Sequence, residues 1–167
     1  MPAQIKQRRT KMKKLTVLLT ILMLLVSTMV MAAGTCVLTQ TGSQSGAEHI
    51  WRQYTCTADV AAGTVPAYTV TGFHDFYIYS VETWPGTTAP TDASDFTLLD
   101  AITGEDLLGG NGTDAIDATT PKTIFPKSAA MGLNFYHMVK GNLTLTIVQQ
   151  AAATNSAVMH IRITGVR

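Results

Sequence analysis

Polar and apolar residues alternate along several segments of the chain, and this period-two pattern is typical of β-strands with one buried face. The alternation runs through His49–Thr57, Leu143–Val148 and Ala157–Thr164. Phe76–Trp84 is an aromatic-rich segment that stops at a Pro-Gly turn, and Phe96–Ile102 is a further short strand candidate. We predict an all-β fold, a single antiparallel β-sandwich or jelly roll, in which the last two alternating segments pair as a hairpin.

A different pattern occupies the start of the chain, where a basic stretch precedes an apolar run, Leu15–Val26. Small residues follow this run up to Ala32, as they do before a signal-peptidase cleavage site. We therefore predict a signal peptide, residues 1–32, whose true start is Met1 or Met12, followed by a β-sandwich domain, residues 33–167. The alternative is an uncleaved anchor, which would be the protein's contact with a membrane.

Removal of this leader changes the charge of the protein. Six of the twelve basic residues lie in the leader, whereas all eleven acidic residues follow it, so the remaining chain carries a net charge of −5. Nucleic-acid binding requires clustered Lys and Arg side chains that displace counterions from phosphates. The remaining cations are scattered, and we expect no nucleic-acid partner. They are Arg52, Lys122, Lys127, Lys140, Arg162 and Arg167.

The chain contains two cysteines, Cys36 and Cys56, and both follow the leader. In an exported protein an even number of cysteines is typical of disulfide bonding. A metal site would require further thiols or histidines at ligand spacing, and the four histidines show no such spacing. We predict a disulfide between Cys36 and Cys56, no metal site and no cofactor.

One glycine-rich segment, Gly109–Asp117, has the sequence GGNGTDAID, which fits the nonapeptide of calcium-binding parallel β-rolls. In those repeats Asp side chains and turn carbonyls supply the oxygen ligands that calcium prefers. Each ion there is shared between stacked repeats, and this chain has a single copy of the pattern. We therefore favour a turn with solvated Asp114 and Asp117 over a calcium site.

The chain shows no complete set of catalytic residues. The GSQSG segment, Gly42–Gly46, resembles a nucleophile elbow, but Gln44 stands at the position of the nucleophile. His74 and Asp75 could be two members of a triad without an identifiable nucleophile. Two carboxylate pairs could suggest glycoside hydrolysis, but as loop residues they are better explained as solvated turn positions. These pairs are Asp92 with Asp95 and Glu105 with Asp106.

The aromatic residues suggest a ligand-binding alternative, because exposed rings on a β-sandwich can stack on sugars. The candidates are Trp51, Trp84 and the pair Tyr77 and Tyr79. A domain of this size buries most of its few aromatic rings, so we expect Trp51 and one face of Phe76–Val81 to form the core. Trp84 precedes a proline, and we predict that it is the exposed ring that contacts a ligand.

Several motifs occur in a characteristic order within Thr83–Thr120 and Gly141–Ile163. They are Pro85-Gly86, Ala89-Pro90-Thr91-Asp92, Leu107-Leu108-Gly109-Gly110 and the Gly-x-Leu-Thr-Leu-Thr segment from Gly141 to Thr146. In this order they resemble small β-sandwich proteins encoded among the structural genes of tailed bacteriophages. The resemblance implies a virion-associated or surface protein that forms oligomers and acts through contacts. The leader and the cysteines depart from that group, so either the domain is adapted to the cell envelope or the resemblance extends to the fold alone.

These observations together predict an exported, non-enzymatic structural or surface-interaction protein. The expected partners are other proteins or further copies of the same chain, as a homo-oligomer. The expected location is secreted, periplasmic or on the surface of a bacterial cell. The alternative is a secreted carbohydrate-binding module that contacts surface glycans through Trp84, and a secreted hydrolase ranks third.

Overall fold

Eight β-strands account for the regular structure of the residues that the computed structural model describes, which are 33–44, 48–128, 133, 136–149 and 153–167. The strands are β1 (Thr35–Gln44), β2 (His49–Thr57), β3 (Tyr68–Val70), β4 (Tyr77–Pro85), β5 (Asp95–Asp100), β6 (Lys122–Ile124), β7 (Leu143–Val148) and β8 (Val158–Val166). Within these ranges no helix is long and apolar enough to span a membrane. The predicted signal peptide lies outside the described residues.

Five strands form an antiparallel sheet in the order β1-β2-β8-β4-β6. β8 lies in the middle of this sheet and pairs with β2 on one side and β4 on the other. Met159, Ile161 and Ile163 of β8 are buried on the inner face, whereas His160 and Arg162 are half-buried on the outer face. The alternation in the sequence thus reflects a strand with one apolar and one polar face.

The other three strands form a second antiparallel sheet in the order β3-β7-β5. β5 buries Phe96 and Leu98, and β7 buries Leu143, Leu145 and Ile147. These side chains belong to one apolar core together with the inward-facing residues of the five-stranded sheet. The predicted all-β, antiparallel sandwich is therefore confirmed for the described residues.

The predicted hairpin between the last two strands is wrong. β7 pairs with β3 and β5 in the smaller sheet, whereas β8 pairs with β2 and β4 in the larger one. The chain between β7 and β8 therefore crosses from one layer of the sandwich to the other. Both strands have one apolar face, so their alternation is equally compatible with pairing side by side and with facing each other across a core.

The predicted disulfide between Cys36 and Cys56 is present. The two cysteines are directly opposite each other in the β1–β2 ladder, and both side chains are buried. The bond attaches the first strand to the second at the end where the described chain begins, which is where fraying would otherwise start. A disulfide is compatible with an oxidising compartment.

A buried carboxylate, Asp100, connects the end of β5 to the loop that precedes β7. One oxygen accepts hydrogen bonds from the N–H groups of Ile102 (2.8 Å) and Thr103 (3.2 Å). The other accepts from Lys140 (2.7 Å) and Gly141 (3.4 Å). Burial of the carboxyl acts to raise its pKa, but these four bonds outweigh that effect and hold the pKa below the ordinary value.

Candidate functional site

The outer face of the five-stranded sheet carries two tryptophans with an arginine between them. The guanidinium carbon of Arg162 lies 5.1 Å from the ring centroid of Trp51 and 5.5 Å from that of Trp84. The ring of Trp84 also stacks on that of His160, with the centroids 5.4 Å apart. Cation–π and ring contacts of this kind hold the side chains in fixed positions. We call this surface the tryptophan face: Trp51, Gln53, Glu82, Trp84, His160 and Arg162.

Polar contacts complete the tryptophan face. Nη1 of Arg162 donates to Oε2 of Glu82 and Nη2 donates to Oε1 of Gln53, both at 3.2 Å. Nδ1 of His160 is 3.0 Å from Oγ1 of Thr55. Nε of Arg162 is buried and has no hydrogen-bond partner among the described residues. The ion pair is partly exposed, so it orients the arginine more than it stabilises the fold.

The two tryptophans differ in how well the sequence predicted them. Trp84 lies on the outer face, outside the core as the sequence predicted, but it is half-buried, and its contact with a ligand stays a prediction. The prediction that Trp51 belongs to the core is wrong, because it is half-buried on the same outer face. Tyr54 and Cys56 fill the inner face of β2, so the alternation of the strand directs Trp51 outward. Its ring lies against Gly42 of β1, where any Cβ would collide with it.

A cavity of about 400 Å³ opens beside Trp51. Arg52 is the cation that lines this cavity, and the guanidinium of Arg167 lies 4.5 Å from the ring centroid of Phe76, which also lines it. The volume falls in the range of small-ligand sites. The residues that line the cavity are Thr41, Gly42, Ser43, Ile50, Trp51, Arg52, Gly72 and Phe76.

A second group of aromatic rings lies near the opposite edge of the same sheet. Tyr79 stacks on Tyr136 with the ring centroids 5.6 Å apart, and it contacts Phe125 edge to face at 6.1 Å. The three residues are 43%, 45% and 41% exposed, respectively. Their neighbours Phe76, Ile78 and Val81 are buried, as the sequence predicted for one face of this segment. We call Tyr79, Phe125 and Tyr136 the tyrosine cluster.

The Gly109–Asp117 segment forms turns, and its carboxylate at Asp117 acts as a turn cap. Oδ1 of Asp117 accepts hydrogen bonds from the N–H groups of Thr119 (2.8 Å) and Thr120 (2.9 Å). Lys122 lies 3.6 Å away, and these contacts together hold the pKa of Asp117 below its ordinary value. No group of three or more potential metal ligands occurs among the described residues. The arrangement of the carboxylates in this segment therefore does not support the calcium hypothesis.

A cavity of about 400 Å³ lies between this segment and the tyrosine cluster. Nζ of Lys122 donates to the backbone oxygen of Asp114, and Nδ2 of Asn111 donates to that of Phe125. These polar side chains are therefore already engaged in connecting the turn to β6. The residues that line the cavity are Asn111, Thr113, Asp114, Ala115, Lys122, Thr123, Ile124 and Phe125.

The candidate catalytic residues lie on the surface or stabilise loops. Nδ1 of His74 is 2.9 Å from Oδ2 of Asp75, but these side chains are 66% and 56% exposed. Asp92 accepts a hydrogen bond from the N–H of Ala118, and Asp95 accepts one from the N–H of Asp114. Each of these aspartates therefore stabilises a loop, which is a structural task.

The second carboxylate pair also separates into two structural roles. Glu105 lies 3.2 Å from Nδ1 of His137, and Asp106 accepts hydrogen bonds from the N–H groups of Leu108 and Gly110. The GSQSG segment is described only in part, and its Gly42 lies beneath the ring of Trp51. Apart from Gly42, none of the described candidate catalytic residues lies in the tryptophan face.

Comparisons with known proteins do not assign either surface to a family: no protein-family profile and no curated protein sequence matches this chain. The candidate surfaces are therefore identified from geometry. Sequence reasoning missed Arg162, although the alternation of β8 already placed it with His160 on the polar face. It also missed Phe125 and Tyr136, since they lie outside any periodic segment and meet Tyr79 only through the fold.

Proposed function

We propose that this chain is an exported, non-enzymatic β-sandwich protein that acts as a structural or surface-interaction component. The observation that carries the proposal is the tyrosine cluster, in which three rings in mutual contact are each more than 40% exposed. Exposed aromatic groups of this kind mark interaction surfaces on soluble domains. The phage-type resemblance in the sequence implies the same kind of role.

The geometry of the tyrosine cluster suits binding to another protein. Tyr136 and Phe125 pack on two sides of Tyr79, so the rings are ordered before a partner arrives. Aromatic side chains offer a large contact area with little loss of rotamer freedom, which explains why they dominate protein interfaces. A partner with a flat apolar surface would fit this cluster.

Export is the second part of the proposal. The leader predicts secretion, and the disulfide between Cys36 and Cys56 suits an oxidising compartment. We propose that the protein is secreted, periplasmic or on the cell surface of a bacterium. Mass spectrometry of the exported protein should find Ala33 at its N-terminus, whereas an intact Met1 or Met12 in the membrane fraction would contradict export with cleavage.

The interaction role is tested by sedimenting the exported protein with envelope fragments of the producing cell and by light scattering. We expect the wild type to co-sediment with the fragments, and Tyr79→Ser to reduce this co-sedimentation strongly because it removes the central ring. Tyr77→Ser is the matched control, since Tyr77 lies in the same strand, is 40% exposed and has no ring contact in the described part. A wild type that is monomeric and binds no envelope fragment would contradict the proposal.

The tryptophan face supports a second candidate function, carbohydrate binding. Trp51 and Trp84 are both half-buried on one face, and Gln53 and Glu82 place planar polar groups beside them. Aromatic rings with adjacent amide and carboxylate groups suit the apolar and hydroxyl-bearing surfaces of a sugar ring. A glycan array should show binding that Trp84→Ala abolishes and Tyr77→Ala preserves. Equal binding by wild type and Trp84→Ala would remove this candidate.

A further inference from the structure

The edges of the two sheets differ in how they are protected. β3 and β6, each at one edge, are three residues long, and Pro121 and Pro126 flank β6. The free side of β5 is covered, because the N–H of Phe96 donates to Gly112 and the carbonyl of Leu98 accepts from Leu107. Short and covered edges offer few backbone groups to a new strand.

β1 is the exception among the edge strands. It has ten residues, TCVLTQTGSQ, and none of them is charged or a proline. It pairs with β2 on one side, and on its other side no strand of the described residues pairs with its backbone N–H and C=O groups. Proteins usually protect such an edge with lysines, prolines or bulges. β1 has one of these devices, an irregularity between Leu38 and Gln40.

Exposed apolar side chains lie in the part of β1 that precedes this irregularity. Val37 is 51% exposed on the outer face and Leu38 is 40% exposed on the inner face. Each would lose contact with water if another strand were added to the edge. An apolar, uncharged and regular run at a sheet edge is the combination that favours strand addition.

We propose that β1 is a self-association edge, at which β1 of a second copy adds antiparallel about a two-fold axis centred on Val37, so that the two sheets form one continuous ten-stranded sheet. This inference rests on the proposed function in so far as that function includes self-association. It names the strand, the partner and the register.

β1 is a place at which the charges allow a second copy to approach. The chain without its leader carries a net charge of −5, so two copies repel over most of their surfaces. β1 contains no charge, and two copies of it can align without placing like charges opposite each other.

Alternation determines the register of such a pair. In an antiparallel ladder, two residues that are directly opposite each other point to the same face of the sheet. The two-fold axis must therefore place one residue opposite its own copy, because an axis between two neighbouring residues would put an outward-facing residue opposite an inward-facing one. An axis at Val37 places the two Val37 side chains together on the outer face. It also places Leu38 beside Cys36 of the second copy on the inner face, where both are apolar. This register makes the interface isologous, as in most homodimers.

The test uses protein expressed from the full-length sequence and purified after export, with sedimentation velocity over a range of concentrations. We expect a dimer, and we expect Val37→Lys to raise its Kd by about 100-fold, since it places two lysines opposite each other. Val148→Lys is the matched control, because Val148 is also a strand residue and is 55% exposed. The control should leave the Kd unchanged.

Mixing charge variants tests the register. Val37→Glu should be monomeric by itself, as should Val37→Lys, and an equimolar mixture of the two should dimerise, since opposite charges then meet. Circular dichroism checks that both variants are folded. For the wild type, hydrogen exchange of the β1 amides should slow as the protein concentration increases.

The inference is overturned if the wild type stays monomeric, if Val37→Lys dimerises as well as Val148→Lys, or if the mixture of variants stays monomeric. These failures are distinguishable from failure of the proposed function. Binding of the wild type to envelope fragments would persist if only the β1 interface were wrong, and it would be lost if the interaction role were wrong.

Discussion

Replacement of Asp100 by asparagine provides a quantitative test of how this sandwich is held together. Asp100 is 1% exposed and accepts four backbone hydrogen bonds, two on each carboxylate oxygen. The shortest bonds, from Lys140 at 2.7 Å and from Ile102 at 2.8 Å, are on different oxygens. Asparagine retains one acceptor oxygen, so it must lose the two bonds on the other side, one of them short, and place an NH₂ group against two backbone donors.

The expected decrease in the free energy of unfolding follows from these contacts. A hydrogen bond to a charged group contributes about 1.5–3 kcal/mol, and a buried donor without an acceptor costs about 1–3 kcal/mol. We expect Asp100→Asn to lower the free energy of unfolding by about 2–4 kcal/mol. This is a large share of the roughly 5–15 kcal/mol that stabilises a typical domain.

The pKa of Asp100 gives the effect a pH dependence of defined sign. The folded-state pKa lies below the ordinary value of 3.8, so the carboxylate stabilises the fold fully at pH values well above 3.8. This contribution is lost as the pH falls through the folded-state pKa. Because asparagine does not titrate, the difference in stability between the wild type and Asp100→Asn should be largest near neutral pH and should shrink in acid.

Urea unfolding followed by circular dichroism, at neutral and at acidic pH, measures these differences. Asp92→Asn is the matched control, because Asp92 accepts one long bond of 3.4 Å from Ala118 in an exposed loop. We expect the control to change stability by less than about 0.5 kcal/mol. If Asp100→Asn and Asp92→Asn were equally stable, the buried carboxylate would not hold β5 to the loop before β7.

Three further perturbations test other parts of the structure. Reduction of the Cys36–Cys56 disulfide should lower stability by about 3 kcal/mol in urea unfolding, whereas unchanged stability would mean that β2 holds β1 without it. Gly42→Ala should displace the ring of Trp51, because its Cβ would collide with that ring, and tryptophan fluorescence should shift accordingly. Burial raises the pKa of Tyr54 to about 12, so its contribution to stability is present below pH 10.0 and is lost as the pH rises through about 12. Absorbance titration should show Tyr54 ionising well above pH 10.0.

The candidate surfaces depend on which strands lie side by side, and the sequence pattern did not predict this. The alternation of β8 placed His160 and Arg162 on one face, but it carried no information about which strands lie beside them. Trp51 and Trp84 meet Arg162 because β2 and β4 pair with opposite sides of β8 in a particular register. Register depends on side-chain packing across the whole sheet, so no local pattern predicts it.

The sequence by itself determined the class of the fold, since a strand with one buried face requires alternation and the chain alternates in β2, β7 and β8. It also determined the disulfide, because two cysteines have one pairing available within the chain. The tertiary structure decided that β7 and β8 lie in different sheets, that Trp51 points outward, and that β1 is a long edge strand with a single irregularity. Alternation indicates that one face of a strand is buried, but the tertiary structure determines which strands pack against that face.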